Sequence, residues 1–155
     1  MRMPNHNIPE RIGSAQHYEV LISKQEQICH RLELLADQLP DRIDTLAAKT
    51  LADALYPTLR TCQDLEEAYV FPIILKWDRT LGPTVARLRA EHVEDEEHAS
   101  VVAEAVTHFA RSPRHADAER LGYLIRGLFQ PLMRHSAFDR DIILPLYCRA
   151  GELYG

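Results

Sequence analysis

Four long runs in which apolar residues recur at steps of three and four, each ended by a Pro- or Gly-bearing break, constrain this chain more than any other feature. Such steps place the apolar residues on one stripe of an α-helix, and that stripe has to be buried against another element. The first run extends from Ser14 to Leu39 and stops at "LPD"; the second runs from Asp41 to Leu75, with Pro57 as a kink and Phe71–Pro72 near its end. "LGPT" opens the third, which reaches Phe109 before "RSPRH", and the fourth continues to Cys148 with Pro131 as a second kink. Strand-like alternation is scarce and only 6 residues are Gly. The expectation is an all-α fold: an antiparallel up-down-up-down four-helix bundle over residues 14–150, behind an N-terminal extension of residues 1–13.

At 155 residues the chain suits one domain with a core of its own. A net charge of −5 with no basic run argues against a nucleic-acid partner. No apolar h-region opens the chain and no run approaches a membrane span, so the expected location is cytoplasmic, with no membrane partner. Three irregularly spaced cysteines, Cys29, Cys62 and Cys148, fit reduced thiols better than a disulfide framework.

The stripes are not apolar throughout. In the fourth helix Leu121, Leu124, Leu128 and Leu132 are followed by His135 and Asp139 before Ile142 and Leu146 resume the rhythm. In the third, Val85, Leu88, His92, Glu96, Ala99, Ala103 and Val106 mark the stripe; in the second, Leu51, Leu55, Cys62, Glu66, Tyr69 and Ile73 do. His17 begins the first helix's stripe, followed by Leu21, Ile28, Leu32 and Leu35, whereas His30 falls about 180° away and roughly 13 Å further along the axis. His98, His108 and His115 lie off the seams, and Trp77 and Tyr69 read as packing at a bundle end. The two hairpins also echo each other. Counted from Pro40 and Pro113, Cys62 and His135 both stand at +22, Glu66 and Asp139 at +26, and Pro72 and Pro145 at +32.

Hairpin geometry brings His17, Cys62, Glu66, His92, Glu96, His135 and Asp139 to one level of the bundle. Each uncompensated buried charge costs on the order of several kcal/mol, so such a layer calls for a counter-ion. Imidazole with carboxylate suits iron, manganese or zinc. Two His–carboxylate pairs stabilising the bundle without metal are the plainer alternative.

The pieces "LEEAYVFP", "EHVEDE" and "RHSAFDRDIILP" resemble the hemerythrin-like HHE cation-binding domains, and the resemblance covers essentially the whole chain. It implies a bundle around a non-haem di-iron centre, with His17, His92 and His135 as terminal imidazoles, Glu66 and Asp139 as bridging carboxylates and Glu96 as an additional ligand. One position departs from the family pattern: the second-helix His of "H-x-x-x-E" is Cys62 here. Two readings of Cys62 stand, a thiolate ligand or a small apolar core residue that leaves one metal position under-coordinated, mononuclear or empty.

The function expected from this is a non-haem iron protein that binds or senses O2, NO or the redox state, or handles iron. A di-iron centre is the expected cofactor, with mononuclear iron, zinc or manganese as alternatives, and a homodimer through an outer helix face is compatible with the pattern. A different class is a metal-free or degenerate bundle acting as an interaction or regulatory module. Oxidation or peroxide reduction is a third, for which no substrate channel or acid–base constellation is legible.

Overall fold

The computed structural model describes residues 12–154, and among them every regular element is helical. The N-terminal extension, apart from Ile12 and Gly13, lies outside the described residues. Helix α1 spans Ala15–Gln38, α2 Thr45–Leu65, α3 Phe71–Trp77, α4 Gly82–Arg111, α5 Ala118–Phe138 and α6 Leu144–Tyr154. One turn of π-helix, Glu66–Val70, joins α2 to α3, and another, Asp139–Ile143, joins α5 to α6. The result is four rods: α1, α2 with α3, α4, and α5 with α6. Each rod packs against the next in chain order, and the last closes on the first.

Local chemistry sets the rod ends. Ser14 caps α1, its Oγ accepting the His17 backbone N–H at 3.0 Å. The residue before it, Gly13, has φ +83°, and a Cβ there would meet the Tyr69 ring at 3.1 Å, so both backbone and space favour glycine. Asp44 caps α2 by accepting from the N–H groups of Leu46 and Ala47. This starts the helix at Thr45 rather than the expected Asp41. Pro83 stands in the first turn of α4, where its missing N–H costs nothing.

Two apolar clusters fill the bundle. The larger one holds Ile28, Leu32, Leu55, Leu59, Val102, Val106, Ile125 and Leu128, among others. The smaller one holds Tyr18, Ile22, Phe71, Ile74, Leu88 and Ile143 at the other end. Between them lies a polar layer. Gln25, Gln63, Glu66, His92, Asp95, His135, Ser136 and Asp139 are the buried polar residues among those described, and all eight fall in this layer.

The two π turns explain where the expected stripes drift. Phe71 N–H donates to Glu66 O, and Leu144 N–H to Asp139 O, each closing a ring one residue wider than in an α-helix. Pro72 and Pro145 follow at once. In a regular helix their rings would meet the carbonyls of Ala68 and Asp141, both of which sit inside the widened turns. The extra residue rotates what comes after it by about 100°. Val70 and Ile74 therefore face the core where Tyr69 and Ile73 were expected, and Ile143 and Tyr147 where Ile142 and Leu146 were. Tyr69 and Ile142 are left 44% and 45% exposed.

Candidate metal centre

The residues that interrupt the core sit just ahead of, or at the start of, the π turns and opposite them on α4. His92 and His135 stack across the α4–α5 interface with centroids 5.4 Å apart and planes 12° apart, and Phe71 stacks on the other face of His92 at 5.7 Å. Each imidazole turns Nε2 inward: His92 Nε2 lies 3.5 Å from Glu66 Oε1, and His135 Nε2 lies 3.4 Å from Asp139 Oδ2. Each turns Nδ1 toward an acid. His92 Nδ1 is hydrogen-bonded to Glu67 Oε1 at 3.0 Å, and His135 Nδ1 is 3.3 Å from Asp95 and 3.4 Å from Glu91. An acid on one ring nitrogen orients the imidazole and leaves the other nitrogen facing the centre, as in metal-bound histidines.

Glu66 is the hub. Its Oε2 accepts the Tyr18 hydroxyl at 3.1 Å, and its Oε1 accepts the Cys62 thiol at 3.6 Å. Burial works against the imidazolium of His92, but Glu66 and Glu67 outweigh it and hold the His92 pKa above its ordinary value. Burial, and then the neighbouring Glu66, Glu91 and Asp95, push the Asp139 carboxyl well above the usual carboxylate range. Burial, Glu66 and Asp139 likewise raise the Cys62 thiol, so without a cation it keeps its proton.

What the layer lacks is partners. His92 Nε2, His135 Nδ1, both carboxylate oxygens of Asp139 and Gln63 Oε1 are buried with no hydrogen bond. Unsatisfied buried polar atoms cost about 1–3 kcal/mol each, so several in one place mark a site completed by something else. Two groups of donors have ligand atoms all within 4.8 Å of one another: Glu66, His92 and His135, and Cys62, Glu66 and Asp139. Glu66 is common to both. Nitrogen and carboxylate donors at this spacing fit a divalent or trivalent transition metal, and the shared carboxylate is what a pair of ions would need.

Of the residues read from the sequence, Cys62, Glu66, His92, His135 and Asp139 are brought together here. Two are not. Glu96 lies at the flank, its carboxylate paired with Arg60, and Asp95 is the acid that turns inward. His17 is half-buried and in neither donor group, and Tyr18 is the α1 residue that reaches Glu66. Both displacements have one cause. The buried positions of α4 run Val85, Leu88, His92, Asp95, Ala99, Val102, Val106 and Phe109, a strict alternation of three and four. A step of four from His92 selects Glu96, whereas the alternation selects Asp95. On α1 the same alternation back from Gln25 and Leu21 gives Tyr18, not His17. His30, His98, His108 and His115 are all exposed, as expected.

A cavity of about 340 Å³ between α4 and α5, lined by Arg87, Glu91, Asp95, Arg134, His135 and Phe138, reaches the outer side of His135. A larger cavity, about 680 Å³, lies beside Asp53, Thr107, Arg111 and Asp117, and none of the buried donors lines it. Burial and chemistry therefore locate the centre better than cavity size does. No helix among the described residues is long and apolar enough to cross a membrane.

No curated protein and no solved structure matches the chain. The sequence model of the hemerythrin HHE cation-binding domain matches residues 16–147, from the first turn of α1 into α6, and with most of the chain covered the protein belongs to the hemerythrin HHE cation-binding domain family.

Proposed function

We propose that this protein is a non-haem iron protein whose polar layer holds a pair of ions and serves to bind or sense O2, NO or the redox state, or to handle iron. The observation that carries the reading is the set of unpartnered buried donors, above all His92 Nε2 and both oxygens of Asp139. In this reading His92, His135, Glu66, Asp139 and Cys62 would hold the ions, with Glu66 common to both donor groups. Bound iron would supply a redox-active Lewis acid able to take a diatomic molecule at an open position.

The chain's own residues do the rest. Glu67 and Asp95 orient the two imidazoles, Tyr18 fixes one oxygen of Glu66, and the apolar clusters on either side exclude water. Cys29, Cys62 and Cys148 are free thiols, which suits the reducing cytoplasm proposed for it. Burial pushes the Cys29 thiol up to about 12, so that group stays inert.

Elemental analysis of protein expressed with ample iron tests the reading. At least one iron per chain is expected, falling to near zero in His92→Ala and His135→Ala. Well under one metal per chain, unchanged by either substitution, would remove the basis for it.

A metal-free regulatory bundle is the second reading. The observation on its side is the Cys62 thiol, which donates to Glu66 where the family pattern has an imidazole. Unchanged melting after exhaustive chelation would favour it.

A further inference from the structure

The two donor groups differ in kind. One pairs Glu66 with two imidazoles, while the other, Cys62, Glu66 and Asp139, has none. Three donors leave a transition metal short of even a tetrahedral set, and α1 is the rod that has yet to contribute. Its inward residues at this level are few. Leu21 and Ile22 are hydrocarbon, Gln25 donates its Nε2–H to Ser136 Oγ at 2.8 Å, and His17 is half-buried and in neither donor group. Tyr18 remains, 0% exposed, with its hydroxyl 3.1 Å from Glu66 Oε2.

We propose that Tyr18 Oη is the fourth donor of the imidazole-free position, giving a phenolate–thiolate–dicarboxylate set with Cys62, Glu66 and Asp139 that selects ferric iron. This deepens the metal reading above and rests on it. Two observations converge. Tyr18 is held in place by an edge-on contact with Tyr147, at 6.0 Å and 83°, so the hydroxyl is aimed rather than free to swing. Its hydroxyl also donates to Glu66, the carboxylate that both donor groups share. Four anionic donors leave less uncompensated charge around a trivalent ion than around a divalent one, which favours ferric iron over zinc or manganese(II). Coordination exchanges the Tyr18 Oη–H and Cys62 Sγ–H bonds, and the O–H bond of the Asp139 carboxyl where it is protonated, for bonds to the cation and releases these protons to water, with no electron transferred.

Resonance Raman and visible absorption spectra of the full chain loaded with ferric iron test the assignment. The wild type is expected to show a phenolate-to-iron charge-transfer band with enhanced tyrosine ring modes, and Tyr18→Phe to lose both while keeping at least half of the iron. Because Tyr18 is buried, Tyr18→Phe could fail to fold; wild-type protein grown on ring-deuterated tyrosine then serves, and its enhanced modes should shift. A wild type that binds iron but shows no tyrosine modes, or a Tyr18→Phe protein with an unchanged spectrum, overturns the assignment and leaves the iron reading standing. A wild type that binds no iron overturns both.

Discussion

The stretch from Cys62 to Pro72 and the stretch from His135 to Pro145 are one arrangement built twice. In both, a polar residue stands four positions before a carboxylate, the carboxylate opens a π turn, and a proline closes it. The N–H of Glu66 is shared between the carbonyls of Cys62 and Gln63, and that of Asp139 between those of His135 and Ser136. Several buried positions coincide, Gln63 with Ser136, Val70 with Ile143 and Ile74 with Tyr147, whereas buried Leu65 and Phe71 match the half-buried Phe138 and Leu144. The difference lies at the first donor, a thiol in one rod and an imidazole in the other. Backbone geometry therefore does not require the imidazole. The same proline-closed turn presents a carboxylate to the centre whichever donor precedes it, and in the proposed assignment the choice of donor would set which ion the position prefers.

Metal loading should produce the largest effect. A ligand at a thousandfold its dissociation constant stabilises the folded state by about 4 kcal/mol. For a domain of this size the iron-loaded protein should then melt on the order of 10 °C above the chelated protein. His135→Ala should abolish the rise, whereas Cys62→Ala should keep most of it. Equal losses in the two variants, measured by calorimetry, would break the asymmetry between the rods.

Next comes pH, in the metal-free protein. Asp139 has a raised folded pKa, so above about pH 3.9 the unfolded chain has released a proton that the native state retains. Unfolding then releases a proton and stability falls as pH rises. His92 acts in the same direction: its contribution is complete below about 6.5 and is lost as pH passes the raised folded value. Stability from urea unfolding should therefore fall from about pH 4 upward through Asp139 and from about pH 6.5 upward through His92, by up to about 1.4 kcal/mol per pH unit for each group. Asp139→Asn should flatten the slope, and a slope of opposite sign would show that the carboxyl is not held protonated.

Cys62→His sharpens the comparison by making the two rods alike. It should raise iron affinity about tenfold, or about 1.4 kcal/mol, by direct titration. An affinity unchanged or lowered would mean that the second rod's position is not equivalent to that of His135. The smallest effect is expected at Glu96, whose pairing with the exposed Arg60 is a surface interaction. Glu96→Ala should shift stability by less than about 0.5 kcal/mol and leave iron content unchanged. Its neighbour Asp95, lying against His135, should lower iron affinity by about 10- to 100-fold when replaced by Ala.

Much of the fold was legible because long apolar stripes with Pro and Gly breaks leave few alternatives to a bundle, and the matched offsets from Pro40 and Pro113 already carried the doubled arrangement. Glu66, His135 and Asp139 were readable because each lies before or at its π turn, where the α-helical phase still holds, and His92 because α4 has no such turn. Residues beyond the turns were not. A π turn inserts one residue without any composition of its own, so Tyr69 and Ile142 look inward on a 3.6-residue count and prove exposed. The proline four positions past the third residue of each turn was the available signal. Asp95 and Tyr18 were missed by a single position, because a stripe can step by three or by four and only the strict alternation decides between them. Polar character misled there, since His17 and Glu96 look more like ligands than their neighbours do.

An anomalous-scattering map at the iron absorption edge, from crystals of the iron-loaded protein, tests the central claim most directly. Peaks among Glu66, His92, His135 and Asp139, with Glu66 touching more than one, are the predicted result. A map empty at that level, with these side chains bonded only to water and to one another, would contradict the account.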